Sequence, residues 1–321
     1  MSDRTPGAVA VTSPYDIDEI FPEESAGSVR LPRRQAGNSP QGLAVTLLAD
    51  YTLRTRAWLP AAAIVDLLAE GGVSPAGART AISRLVRRGV LEGRRQGRRG
   101  SHRLTAAAAA SLTIGGSAIA AAAAPPWDEQ WTLVAFSLPQ QEGTLRRALR
   151  GKLRWMGFAP LYDGLWISPH DLSEKTRARF AELTLGTLTV FRARHIELDA
   201  AIRRNPLDAW DTAEIARQYE AFIRRWSRTP SEISGAGAVR ARTEVMDTYR
   251  RLPILDPQLP IGLLPPGWLR EPARELFMSV YDGLADAAQE HVRAVASPYS
   301  GDEVSGVRAH TVAELAAGLG R

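Results

Sequence analysis

The chemistry in this chain is concentrated in arginine. Between Ser74 and Leu104 lie nine arginines, at positions 79, 84, 87, 88, 94, 95, 98, 99 and 103, against one acid, Glu92. A guanidinium is a planar fork of donors. It meets a phosphate, or the O6 and N7 edge of guanine, with two parallel hydrogen bonds. The stretch from Ser74 to Gly89 predicts a helix, because Ser74 suits an N-cap and Pro75 the first helical position. At about 100° per residue, Ala78, Ala81, Ile82, Leu85 and Gly89 share one face. Thr80, Ser83, Arg84 and Arg87 share the opposite face, with Arg79 and Arg88 on its flanks. The following residues, Val90 to Leu104, predict two short strands around a Gly- and Arg-rich turn carrying Arg94, Arg95, Arg98 and Arg99. A helix with outward arginines followed by a basic hairpin is the pattern of a winged helix-turn-helix, whose second helix enters the major groove while the wing lies along phosphates. On that pattern Arg84 and Arg87 are the first candidates for base contacts. Thr80 and Ser83 are short enough for phosphate oxygens, or for a thymine methyl in the case of Thr80. Arg79 and Arg88 flank them, and the four wing arginines suit phosphate or minor-groove contact.

Other chemistries are poorly supplied. There is no cysteine, which removes thiol catalysis, disulfides and Cys-based zinc sites and fits a reducing cytoplasm. The five histidines, at 102, 170, 195, 291 and 310, are scattered, and none pairs with another at metal-ligand spacing. No Gly-x-Ser-x-Gly elbow or Gly-rich phosphate loop with its lysine is present. No catalytic residue, cofactor or metal is therefore expected. A second basic face, Arg146, Arg147, Arg150, Lys152 and Arg154, has the ordinary reading of a solvated surface. Its functional reading is an effector site for the phosphates of a coenzyme A thioester. Trp155 and Trp268 are candidates for a pocket wall or a domain interface, whereas Trp131, Phe136, Phe158 and Trp166 fall at core positions.

Charge and length bound the rest. The chain has 321 residues and a net charge of +5, with a pI near 9.9. That balance permits a nucleic-acid partner, and most of the excess is the one patch above. Hydrophobic residues make up 45%, enough for a sizeable core. No apolar window long enough for a membrane span and no basic-then-apolar leader is visible, so a cytoplasmic protein is expected.

The elements that must position these residues follow a three-part plan of α+β class. Residues 1–39 predict a disordered tail, rich in Pro, Gly and Ser. Residues 40–112 predict the winged-helix unit: a helix with Leu43, Leu47, Leu48 and Tyr51, a second opened by Pro60 and stopped at Gly71-Gly72, the Ser74 helix, the hairpin, and an Ala-rich helix capped by Thr105. Residues 113–126, from around Gly115-Gly116 to Pro125-Pro126, read as a linker. Residues 127–198 predict strand, helix, strand, strand, helix, strand, with Asp163-Gly164 as a hairpin turn. That order is the ferredoxin-like βαββαβ arrangement. Its helices are expected at Leu145 to Trp155 and Asp171 to Leu183. Residues 199–296 read as helical, ending in one long helix from Pro272 to Val295, and residues 297–321 as a loosely ordered tail with a short helix near Thr311 to Leu319.

Three blocks in this order resemble the PaaX family of bacterial repressors of phenylacetate catabolism. The first is Leu47-Leu48-Ala49-Asp50-Tyr51, the run Arg79 to Gly89, and Arg103-Leu104-Thr105. The second is Trp127-Asp128, Trp131 to Pro139, Gly157-Phe158 and Gly164 to Pro169; the third is Asp256-Pro257, Leu259-Pro260, Leu263-Leu264-Pro265 and Gly267-Trp268. The resemblance implies a homodimeric repressor that binds double-stranded operator DNA and is released by a small effector, in the best-known members an aryl-coenzyme A thioester. It also implies a central domain similar in fold to small CRISPR-associated endoribonucleases. A metal-dependent nuclease is therefore one alternative. It is disfavoured because Phe136-Ser137-Leu138-Pro139 lacks an acid at the end of the first central strand, with Gln140 next and Glu142 further on. An effector-independent nucleic-acid-binding protein is the other. The wing is richer in Gly and Arg than is usual for the family.

Overall fold

The computed structural model describes residues 39–97, 99–120, 126–137, 146, 149–151, 153–154, 156–171, 188–196, 205–228, 233–256, 258–300 and 306–319. Except for Ser39, the expected N-terminal tail lies outside them, as does nearly all of the second central helix expected from Asp171. The architecture is α+β, with two small antiparallel sheets.

Helix α1 (Pro40–Thr52) begins where Ser39 Oγ accepts from the Gly42 amide at 3.0 Å. The short strand β1 (Leu59–Pro60) leads into α2 (Ala61–Glu70), which stops at Gly71 and Gly72, the latter at φ +86. Helix α3 (Pro75–Arg87) follows, then β2 (Leu91–Gln96) and β3 (Arg99–Leu104), paired antiparallel so that Glu92 faces Arg103 and Arg94 faces Ser101. The sheet order is β1-β3-β2. Pro60 sits on its edge strand, where a missing amide costs no ladder bond.

Helix α4 (Ala106–Ala120) runs straight through Gly115 and Gly116, where a linker was expected. A Cβ on Gly116 would lie 2.8 Å from Leu315 Cδ2. Gly116 lets the two helices pack closely. Its partner, α9 (Val312–Ala316), has Thr311 and Glu314 in a capping box. Val307, Val312, Leu315 and Leu319 are all buried, so residues 306–319 of the expected loose tail are part of the core.

The central sheet is formed by β4 (Trp131–Phe136), β5 (Ala159–Tyr162), β6 (Leu165–Ser168) and β7 (Leu188–Ala193), in the order β5-β6-β4-β7 with every neighbour antiparallel. Alternation along the strands gives it two apolar faces. Val134, Phe136 and Trp166 pack on Leu149 and Leu153 of a stretch that is helical at 146, 149–151 and 153–154. Trp131, Leu161 and Ile167 pack on Leu207, Trp210 and Leu263, with the Trp131 and Trp210 rings stacked at 6.2 Å.

The last third is helical: α5 (Thr212–Trp226), α6 (Gly235–Tyr249), a turn at Leu252–Leu255, α7 (Arg270–Gly283) and α8 (Ala285–Ser300). The single helix expected from Pro272 is therefore two. At Leu284, φ −90 and ψ −3 depart from helical values. Each half then buries its own stripe: Ala273, Phe277, Val280 and Tyr281 in one, Ala288, Val292 and Ala296 in the other.

One apolar core runs from Ala44 to Leu319 and joins the first and last thirds of the chain. Each large side chain it buries contributes about 1.5–3 kcal/mol. Polar groups are sealed inside it. Tyr281 Oη donates to Asp50 Oδ1 at 2.7 Å and lies 2.9 Å from His310 Nε2. The fully buried Arg242 guanidinium is 3.9 Å from Asp50 and 3.7 Å from the Tyr281 ring centroid, and donates to the carbonyls of Tyr281 and His310. Burial pushes Asp50 up to about 6, although Arg242 and the Tyr281 hydroxyl oppose it. Burial, helped by the Arg242 charge, pushes His310 down to about 3.

Candidate nucleic-acid interface

Helix α3 is fixed at both ends. Ser74 Oγ accepts from the Gly77 amide at 3.1 Å. At the other end Val90 N bonds Leu85 O at 3.0 Å, and Gly89 takes φ +70. This is a Schellman ending, which glycine accepts without strain. Gly89 is exposed, so it closes the helix and does not belong to the apolar stripe where its spacing placed it. Ala78, Ala81, Ile82 and Leu85 are buried. That leaves Arg79, Thr80, Ser83, Arg84 and Arg87 exposed together on the outer face. Thr80 Oγ1 donates back to Ala76 O at 2.9 Å. Arg88 is half-buried and reaches Gln41 Oε1 at 3.4 Å, which draws it toward α1.

The hairpin arginines do not form one set. A strand has period two, so alternate residues face opposite sides. Leu91, Gly93 and Arg95 share a face with Leu59, Leu104, His102 and Gly100. Glu92, Arg94, Arg99 and Arg103 occupy the other. Arg95 is exposed and its Nε donates to Gly97 O at 3.1 Å. Arg99 reaches the Tyr299 carbonyl on α8 at 3.4 Å. Arg98 lies outside the described residues. Arg94 stacks on Trp58, its Cζ 4.6 Å from the ring centroid, and Arg103 stacks there too, at 4.4 Å. A Cβ at Gly93 would come within 3.3 Å of the His102 ring, so glycine lets that ring lie flat on the strand. Burial holds the His102 imidazole below its usual range.

Trp58 and Arg56 were not singled out in the sequence, and Glu92 only as the one acid among nine arginines. Arg56 donates to Glu92 Oε1 at 2.6 Å and Arg103 donates to the same oxygen at 2.7 Å. The signal available was register. Leu59 pairs with His102, so Trp58 falls beside Arg103.

Of the candidate effector residues, the described ones, Arg146, Arg150 and Trp268, fall in two different parts of the fold. Arg150 is 3.4 Å from Asp163, and Arg146 stands on the same helical stretch. Arg147, Lys152 and Trp155 lie outside the described residues. Trp268 belongs to a different cluster. Its indole donates to Asp256 Oδ2 at 2.9 Å, and its ring meets Tyr219 edge-on at 6.0 Å. Among the described residues no group of three His, Asp or Glu is placed to hold a metal ion, and no helix is long and apolar enough to cross a membrane.

The α+β chain thus presents a capped cationic helix beside a basic hairpin. Comparison with known proteins adds the family. Residues 39–108 match the family model described as PaaX-like protein. Residues 124–203 match the PaaX protein central Cas2-like domain, and residues 210–294 the PaaX-like protein C-terminal domain. The chain is 29% identical, over 220 residues, to the transcriptional repressor PaaX of Escherichia coli, covering 65% of this chain and 69% of that protein. In fold it resembles uncharacterized protein Rv0674 from Mycobacterium tuberculosis, with a TM-score of 0.55, 21% identity, and coverage of 80% of this chain and 98% of the other. With three domain models matched in chain order, this protein belongs to the PaaX family.

Proposed function

We propose that this chain is a transcriptional repressor that binds double-stranded operator DNA through α3 and the β2–β3 hairpin. One observation carries the reading. Arg79, Thr80, Ser83, Arg84 and Arg87 stand exposed together on a helix whose opposite side is locked in the core. The order of α2, a short turn, α3 and hairpin supports a winged helix-turn-helix. The sheet order β5-β6-β4-β7 supports a ferredoxin-like central domain. Arg84 and Arg87 supply base contacts, with Arg79, Thr80, Ser83 and the exposed hairpin arginines on phosphates. A homodimer would match a roughly palindromic site. Family resemblance adds a small acyl- or aryl-coenzyme A effector, with Arg146 and Arg150 as the described part of its basic face.

Footprinting on DNA upstream of the protein's own and neighbouring genes tests this. The parent protein should protect a discrete segment. It should lose roughly 10³–10⁵ in affinity between about 50 and 200 mM salt if six to ten phosphates are engaged. The double variant R84E/R87E should lose protection while keeping the parent melting temperature. Equal protection by parent and variant would overturn the assignment.

A further inference from the structure

We propose that Trp58 is a positioning residue for duplex binding, holding the root of the basic hairpin by stacking an arginine from each of its strands. The inference rests on the reading that this hairpin lies along phosphates. Arg94 of β2 and Arg103 of β3 lie over the same indole, with Cζ 4.6 and 4.4 Å from its centroid. A guanidinium is attracted to the negative face of an aromatic ring, most strongly to that of Trp. One ring thus gathers two like charges that would otherwise push the strands apart.

The ring is itself anchored. Arg56, two residues earlier, takes the left-handed conformation at φ +50. It donates to Leu104 O at 3.1 Å and to Glu92 Oε1 at 2.6 Å. Glu92 also accepts from Arg103 at 2.7 Å. Glu92 is the one carboxylate among nine arginines between Ser74 and Leu104. Thr55 Oγ1 meets Gly306 O at 2.6 Å, which ties the loop to the last part of the chain. Trp58 is therefore held at a fixed place beside β3, and the hairpin that carries the exposed Arg95 is set against it. Arg94 and Arg103 are spent on geometry, while Arg95, nearer the tip and on the other face, is presented to the duplex.

The test compares W58F, which keeps a ring, with W58L, which keeps an apolar side chain and drops the ring. Duplexes retained by the parent protein from a random pool are the probe. W58L should bind them about fivefold to tenfold more weakly. Its salt dependence should be shallower by about one phosphate contact, with the same sequences preferred. W58F should stay within about twofold of the parent. Amide exchange at Glu92 and Arg94, whose amides face β3, should quicken in W58L and not in W58F. Parent-like binding and salt slope in W58L would overturn the proposal, and so would equal losses in W58F and W58L, which would mark mere bulk. If the parent retains no duplex, the DNA reading falls and the positioning role with it, whereas the exchange comparison still reports whether the ring fixes the hairpin.

Discussion

Replacing Asp256 by asparagine removes one charge from the most heavily bonded carboxylate in the last third of the chain. Asp256 is buried, 1% exposed, and its two oxygens have five donors. Oδ2 accepts from Tyr219 Oη at 3.0 Å, Trp268 Nε1 at 2.9 Å and Arg270 Nε at 2.9 Å. Oδ1 accepts from Arg270 at 2.6 Å and from the Leu259 amide at 3.1 Å. A carboxamide keeps one acceptor and turns a donor toward the other set. Its better orientation leaves the oxygen at the Oδ2 site, because Arg270 still has Leu259 O at 2.8 Å on the other side. The Leu259 amide is then stranded and the Arg270 charge loses its counterion. Breaking a buried pair from one side costs about 3–5 kcal/mol. The Arg270 side chain is 15% exposed, so some water relieves it and the lower end applies. For a chain of 321 residues, about 3 kcal/mol corresponds to a melting temperature lower by about 4–5 °C. Y219F removes a single hydroxyl bond and should cost about 1 kcal/mol. Thermal and urea unfolding followed by far-UV circular dichroism reads both. Should D256N melt within about 2 °C of the parent, the five-donor arrangement is not what holds Trp268, Tyr219 and Arg270 together.

Three further expectations follow from the described contacts. His310 is held at about 3 in the folded chain, against an ordinary 6.5, so only the unfolded chain takes up its proton and stability drains as pH falls below 6.5. Asp50 is raised from 3.8 to about 6, so the folded chain keeps a proton that the unfolded chain releases, and stability declines as pH rises from 3.8 to about 6. The two slopes oppose each other in the parent. Urea unfolding between pH 4 and 6 should show D50N losing stability on acidification relative to the parent, H310Q gaining it, each by up to about 1.4 kcal/mol per pH unit; parallel profiles would disprove the assignment. G164A places a Cβ 2.7 Å from the Phe136 backbone oxygen, which cannot retreat without breaking the β4 ladder. It should lower stability by about 1–3 kcal/mol in urea titrations. S74A removes the N-cap acceptor of α3 and should cost about 1 kcal/mol in the same titrations.

Features written in neighbouring residues are legible in the sequence alone. The Ser74 cap, the Pro75 start and the Ala78, Ile82, Leu85 stripe all lie within one helix, and so does the outward set of Arg79, Thr80, Ser83, Arg84 and Arg87. The Asp163-Gly164 turn was equally local. What escaped depends on distant partners. Gly115-Gly116 looks like a joint until α4 is seen running through it and Leu315, about two hundred positions away, lying against Gly116. Asp50 and Arg242 have the composition of surface residues and are buried only because they meet each other and Tyr281. Trp268 reads as a pocket wall or domain interface beside a proline-rich loop, and its indole donates instead to the buried Asp256. The split of the hairpin arginines over two faces was available from simple alternation, but which face met Trp58 required the register of β1 against β3.

Helix α2 is braced by the last third of the chain along its length. Tyr299 Oη donates to Asp66 at 2.7 Å, His291 meets Glu70 at 2.9 Å, and Arg240 donates to the Glu70 carbonyl at 2.8 Å. No joint separates these helices from the part of the molecule that carries α3. The helix that precedes the arginine face therefore takes part of its support from residues 170 or more positions further along the chain. Substitutions at Arg240, His291 or Tyr299 alter that support without touching a residue on the outer face of α3.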